Sequence, residues 1–199
     1  MNIFVTEKHK KNIMKGRMTT SDYLDFNNCK SKANELLLNP KLHKIGLYIY
    51  VAIYSGLRNS DIRLLRWEDL NQDKIRIQEQ KTKKYRTITL NPNLKKILEE
   101  NKPLNTNGYI FSSQKNTPYS IQALNRLLKE VFSNYTNTKN ISTHTFRKTF
   151  GRAFWDYNNR SEEALIRLMD IFEHSSLKVT KTYLGITAEE KAEVYMNLP

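Results

Sequence analysis

Between His43 and Tyr54 almost every residue is apolar, unbroken from Ile45 to Ile53, and the stretch stops at Ser55-Gly56. A helix that is apolar on every face has no side to offer water, so it belongs at the centre of a domain with other elements packed around it. The run is too short to cross a bilayer as a helix. Gly56 supplies the left-handed residue that closes such a helix. The segment after this turn, Leu57-Arg58-Asn59-Ser60-Asp61, therefore starts from a fixed point in the core.

The rest of the chain reads as elements wrapped on that helix. Thr20 or Ser21 caps a helix through Tyr23 and Phe26, and Pro40 breaks the pattern. Ser60 starts a helix from Asp61 to about Trp67, with Ile62, Leu64 and Leu65 inward. From Lys74 the period changes to two, giving strands at 74–78 and 85–90 joined by a tight Lys-rich turn. Pro92 opens a helix to about Glu100, and Tyr109-Ile110-Phe111 is a short extended piece. Ser120 caps an amphipathic helix carrying Leu124, Leu127, Leu128 and Val131. Ser142 or Thr143 caps the helix of His144, Arg147, Phe150 and Phe154, and Ser161 caps one from Glu162 to Ile171. A short helix with Leu177, Thr180 and Leu184 inward ends at Gly185. Thr187 to Glu190 form a capping box for a last amphipathic helix. The fold class is α+β: mainly α-helical, with a small antiparallel sheet or β-hairpin.

With 199 residues the chain suits one domain with small appendages. Residues 1–20, with Lys8, Lys10, Lys11, Lys15 and Arg17 against Glu7, form a basic arm or linker. Residues 21–186 form the domain, and 187–199 a helix that docks on it or on a neighbouring copy. Cys29 is the only cysteine, so no intramolecular disulfide forms and a reducing, cytoplasmic setting fits.

The net charge of +13 calls for a polyanionic partner. An anionic membrane is the weaker choice, because no helix pairs a Lys-rich face with a Trp/Phe/Leu face. Nucleic acid is the stronger one, and the basic hairpin favours double-stranded DNA. Residues 74–96 carry eight Lys and Arg against Glu79 alone, and a basic hairpin of this kind reaches phosphates in a groove. A charged edge that blocks strand aggregation has the same composition. Lys83, Lys84 and Arg86 of the hairpin, and Lys148 next to Arg147, are candidate DNA contacts.

Arg58 sits on a short rigid connection between two helices, with Asp61 as a candidate partner or orienting group. His144 and Arg147, at i and i+3, share one face at a helix N-terminus, where free N–H groups and the dipole attract phosphate. His174 precedes Tyr183 by nine residues. Two guanidiniums, a hairpin lysine (Lys81), two imidazoles and a phenol suit metal-free attack of a tyrosine on a phosphodiester. The histidines have no Cys or spaced carboxylates beside them, so neither a metal nor another cofactor is expected.

These pieces resemble the catalytic domain of the tyrosine recombinases, the phage-integrase family. The likeness covers about residues 40–186. It rests on Ser55-Gly56-Leu57-Arg58-Asn59-Ser60-Asp61 with Leu65-Arg66-Trp67-Glu68-Asp69, on Lys81-Thr82-Lys83, on His144-Thr145-Phe146-Arg147-Lys148-Thr149-Phe150, and on His174-Ser175-Ser176 through Tyr183. The resemblance implies Tyr183 as nucleophile and Arg58 and Arg147 as the grip on the scissile phosphate. It implies Lys81 as proton donor to the leaving 5′ oxygen, and His144 and His174 as the remaining phosphate ligands and proton handlers. It also implies a homo-oligomer, dimer to tetramer, on DNA in a bacterial or phage-infected cell, with the last helix docking in trans. The sequence departs from the family pattern at Glu173, where Gly is common, at Phe146 and Phe172, commonly Leu, and at Ser55, commonly Thr. Glu173 is placed to raise the pKa of His174, to accept a hydrogen bond from its ring, or to weaken phosphate binding. Only about 40 residues precede the likeness, too few for a second DNA-clamping domain, so a minimal recombinase or a catalytic-domain fragment is expected.

Site-specific cutting and rejoining of DNA through a 3′-phosphotyrosine is the function these features favour. A type IB topoisomerase shares the chemistry and would relax plasmid without recombinant products. A DNA-binding protein with a degenerate site would form no covalent adduct, and an RNA-binding domain would need stacking aromatics outside the core periodicity.

Overall fold

The computed structural model describes residues 20–186, apart from 72, 82, 105–106 and 136–138, together with 195–196. The basic arm expected at 1–20 and the C-terminal helix expected at 187–199 therefore lie almost wholly outside the described residues, as does Thr82 of the hairpin.

The apolar run forms α2 (His43–Ser55), preceded by α1 (Phe26–Leu37). From Ile45 to Ile53 every residue of α2 is buried, because α1, α4 (Pro92–Glu100), α5 (Ile121–Val131) and α6 (Thr143–Tyr157) all lie against it. Gly56 ends it at φ 60°, its N–H donating to the Ala52 carbonyl. The requirement for glycine is double here: a Cβ would stand 2.4 Å from the Phe150 ring.

Two expected helices are shorter than the pattern suggested. The first begins at Phe26, capped by Asp25, whose Oδ1 accepts from the Asn28 N–H at 2.8 Å. Residues 20–25 are drawn out of helix by the far side of the domain. Asp22 N–H donates to the Asn140 carbonyl at 3.0 Å and Leu24 N–H to Thr149 Oγ1 at 3.1 Å. The second, expected from Asp61 to Trp67, is a single turn, α3 (Asn59–Ile62). Arg66 is extended and bridges Tyr109, and Trp67 N–H donates to the Gly108 carbonyl, so pairing with 108–110 overrides the helical period. Tyr109-Ile110-Phe111 contributes this bridge without forming a strand of its own.

The sheet is antiparallel in the order β1 (Leu70–Asn71), β2 (Lys74–Gln78), β3 (Tyr85–Thr89), with Ile75 opposite Ile88 and Gln78 opposite Tyr85. Ile75 and Ile77 point into the core while Lys74, Arg76 and Gln78 face water, the alternation expected of a one-sided sheet.

A second apolar cluster joins Trp155, Leu165, Leu168, Phe172, Leu184 and Ile186. It is built from the C-terminal half of α6, α7 (Glu162–Phe172) and α8 (Leu177–Leu184). Helix α6 runs from one cluster to the other, with Phe146 in the first and Trp155 in the second. Where α8 crosses it, Gly151 is the contact: a Cβ there would lie 2.6 Å from Leu184 Cδ2 and 3.0 Å from the Phe172 ring. That close approach fixes the distance from α6 to α8, and so from Arg147 to Tyr183.

Candidate active site

The C-terminus of α7 is the meeting point. A helix ends on carbonyls without intrahelical partners and a partial negative charge, which cations satisfy. Three guanidiniums arrive there from three directions. Arg58, at the N-cap of α3, donates from Nη2 to the Phe172 carbonyl at 3.2 Å. Arg147, on α6, donates to the same carbonyl at 3.2 Å and from Nη1 to the Gly56 carbonyl at 2.5 Å. Arg86, on β3, donates to the Ile171 carbonyl at 2.9 Å. One peptide oxygen thus holds Arg58 and Arg147 side by side although 89 residues separate them in the chain (147 − 58).

Two carboxylates balance this cluster. Glu79 is only 1 % exposed, with Oε1 3.2 Å from Arg86 Nη1 and Oε2 3.4 Å from Arg58 Nη1. Glu173 closes on Arg58 Nη2 at 2.8 Å. Asp61 is therefore not the partner of Arg58. Its Oδ1 accepts from the Gln80 N–H at 2.9 Å and from the Ser60 hydroxyl, fastening the base of the hairpin that carries Lys81. Lys81, Lys83 and Lys84 are exposed on that hairpin, with Lys83 at φ 60°.

Burial depresses the Arg147 pKa to about 10, helped by the charges of Arg58 and Arg86 and opposed by Tyr183 and Asp61, so it remains a cation near neutrality. His144 is the second residue of α6, its N–H donating to the Ser142 cap at 3.2 Å. Its pKa is lowered by desolvation and by Arg147 and Lys148.

His174 and Tyr183 flank Phe172. The three rings pack at centroid distances of 5.2–5.5 Å. His174 Nδ1 lies 3.1 Å from the buried Thr180 hydroxyl, which itself donates to the Ser176 carbonyl at 3.4 Å. In the tautomer compatible with that hydroxyl bond, Nδ1–H donates to Thr180 and Nε2 keeps its lone pair. Glu173 does not raise the His174 pKa, and its carboxylate goes to Arg58. The pKa falls below 6.5, through burial first and then the charges of Arg147, Arg58 and Lys81. Because the folded state resists protonation, His174 contributes stability that is intact above the unfolded pKa and is lost as pH falls below it. Urea denaturation from about pH 7.5 down to about pH 5.5 is expected to lower the midpoint, with a shallower fall in His174→Gln. Equal pH slopes for the two proteins would contradict this.

The Tyr183 hydroxyl is buried without a well-formed hydrogen bond. Desolvation pushes its pKa up to about 12, while Arg147 and Arg58 pull the other way. Lys148 is 8 % exposed, with its ammonium 5.1 Å from the centroid of the Tyr183 ring, so it packs on the phenol instead of standing on the surface.

The structure thus brings together Arg58, Arg147, His174 and Tyr183, adds Arg86 from the hairpin, and leaves Lys81 and His144 at the rim. Sequence reasoning missed Glu79 as the buried bridge, although a signal existed: it continues the inward parity of Ile75 and Ile77. No group of His, Cys, Asp and Glu suited to a metal occurs among the described residues, and no described helix is long and apolar enough to cross a membrane.

Comparison with known proteins gives a consistent picture. The model of the phage integrase family matches residues 18–190. The probable integrase/recombinase YoeC of Bacillus subtilis (strain 168) is 35% identical over 167 residues, covering 82% of this chain and 89% of the relative. Among solved structures, XerA recombinase superposes with a TM-score of 0.63 at 17% identity, covering 90% of this chain and 66% of its own. XerH bound to palindromic difH substrate, a post-cleavage complex, gives 0.65 at 18% identity, covering 89% and 54%. The Tn1549 transposon integrase with circular intermediate DNA gives 0.62 at 19% identity, covering 84% and 63%. At these identities the structures speak for the fold. The chain spans between 54% and 66% of their lengths.

Proposed function

The chain belongs to the phage integrase family, the tyrosine recombinases, and from that membership we propose that it is a site-specific DNA recombinase whose nucleophile is Tyr183. The observation that carries the reading is the convergence of Arg58 and Arg147 on one carbonyl beside the Tyr183 hydroxyl, which is buried without a well-formed hydrogen bond and feels the charge of both arginines. An unspent hydroxyl next to paired guanidinium forks is arranged for an incoming phosphodiester.

Tyr183 Oη attacks phosphorus as the bond to the 5′ oxygen breaks. Arg58 and Arg147 neutralise the charge that builds on the equatorial oxygens. A phenol of pKa about 12 is ionised only to ~10⁻⁵ near pH 7, so its proton leaves in concert with attack rather than before it. His174, kept neutral, takes that proton at Nε2. His144 donates to a phosphate oxygen, and Lys81 gives its proton to the leaving 5′ oxygen. The products are a 3′-phosphotyrosine and a 5′ hydroxyl. Attack by another strand's 5′ hydroxyl reverses the steps and releases Tyr183, so neither ATP nor a metal enters the balance.

Lys83 and Lys84 meet the DNA backbone at the hairpin, while Arg86 and Lys148 act from inside, on Glu79 and on the Tyr183 ring. Exchange between two duplexes needs a phosphotyrosine on each, which makes the working form an oligomer on DNA, in the cytoplasm where the DNA is. Residues 21–186 are the catalytic unit, with 1–20 as a basic arm or linker and 187–199 as a C-terminal helix for docking in trans. The test is incubation with a nicked half-site cut from DNA flanking the coding region. A covalent protein–DNA adduct is expected, with the modified peptide containing Tyr183. Non-covalent binding without any adduct would leave a DNA-binding protein instead.

A further inference from the structure

The guanidinium of Arg58 is not free to receive a phosphate. Its Nη2 is taken by Glu173 at 2.8 Å and by the Phe172 carbonyl at 3.2 Å. Its Nη1 is buried, 3.4 Å from Glu79 Oε2, and makes no hydrogen bond. The two carboxylates differ in how firmly they are held. Glu79 is 1 % exposed and shared with Arg86, so it cannot leave without stranding both arginines. Glu173 has a side chain 33 % exposed and Arg58 as its ion-pair partner, so it can swing to solvent at small cost.

Glu173 is also an unfavourable residue for its backbone. It closes α7 in the left-handed region, at φ 54° and ψ 47°. A glycine has no penalty there, and Asn or Asp offsets it through local hydrogen bonds, whereas Glu has neither advantage. What its side chain does make is the contact with Arg58. The charge count points the same way. Glu173 brings one negative charge to Arg58, and its departure would leave Arg58 with Glu79 alone, which Arg86 shares. A phosphodiester, carrying one negative charge, would exchange with the Glu173 carboxylate one for one.

We infer that Glu173 is an internal stand-in for the phosphate, seated on Arg58 when DNA is absent and displaced when a phosphodiester binds, so that it sets how weakly the empty site holds anions. The inference rests on the reading of Arg58 as a phosphate ligand. Glu173 is a positioning residue in this scheme, acting through Arg58 without touching the reacting atoms.

Inorganic phosphate is the probe, titrated into the full chain and followed by the backbone ¹⁵N–¹H signals of residues 58, 147 and 173, which every variant retains. Glu173→Gln keeps the shape and the backbone strain but removes the charge. Glu173→Gly removes the charge and the strain together, which keeps a folded variant in hand if Gln perturbs the turn. Both are expected to bind phosphate at least about fivefold more tightly than the parent, and Arg58→Gln in either background should abolish the gain. Unchanged or weaker phosphate binding in both variants would overturn the inference. Adduct formation on the nicked half-site, measured in parallel, judges the strand-transfer reading separately: tighter phosphate without any adduct supports the stand-in and removes the recombinase.

Discussion

Replacing Tyr183 by Phe is expected to abolish the covalent adduct, a loss of at least ~10⁴-fold, while leaving the fold and DNA binding intact. The separation of the two effects follows from the environment. The hydroxyl makes no well-formed hydrogen bond, only a loose contact with the Arg147 charge, so little is lost on removing it, and a buried polar group that is costly to leave unpaired goes with it. The ring keeps its contacts with Phe172 at 5.5 Å, with His174 at 5.2 Å and with the Lys148 ammonium at 5.1 Å. Thermal unfolding of Tyr183→Phe should therefore match the parent or lie slightly above it. A tyrosine present only to fill the core would leave activity little changed in the Phe variant. An adduct that survives in the Phe variant would move the nucleophile to another residue.

Much of this site could be read in the sequence because its parts are tied to short local signals. Gly56 has to follow an all-apolar helix, and the turn it makes delivers Arg58. Ser142 has to cap the helix of His144 and Arg147, and its hydroxyl accepts from the His144 N–H. Ser176 caps the helix that carries Tyr183, accepting from the Val179 N–H. The features that were not legible depend on long-range geometry. Nothing local says that Arg58, Arg86 and Arg147 will end on the carbonyls of Ile171 and Phe172, since those acceptors are backbone atoms with no sequence signature. Lys148 looks like a surface cation in a basic chain, and only the crossing of α8 over Gly151 buries it against a phenol. The helices expected at Thr20–Ser21 and through Trp67 failed for the same reason. Pairing with Asn140 and with Gly108–Ile110 outweighed local propensity.

Glu79 should be the most damaging single position outside the reacting groups. Its carboxylate is the only buried anion bridging Arg58 and Arg86 among the described residues, and it is 1 % exposed. Glu79→Gln keeps the volume but leaves both guanidiniums in a site already crowded by Arg147, with only Glu173 still ion-paired to Arg58. Breaking a buried pair from one side costs about 3 kcal/mol, because the desolvated partner loses its compensation. A lower urea midpoint at unchanged slope is the expected sign. Added salt should not restore it, since buried charges are poorly screened. Activity should fall as well, by about 10²-fold at saturating DNA, because Arg58 loses the contact that aims it. Pairing Glu79→Gln with Arg86→Gln should be less harmful than the two losses summed, by about 1 kcal/mol or more, since the second change removes a charge the first left stranded. Simple additivity would mean that Glu79 and Arg86 act independently. Parental stability in Glu79→Gln would mean that the three guanidiniums need no buried anion, leaving the helix carbonyls as their sufficient partners.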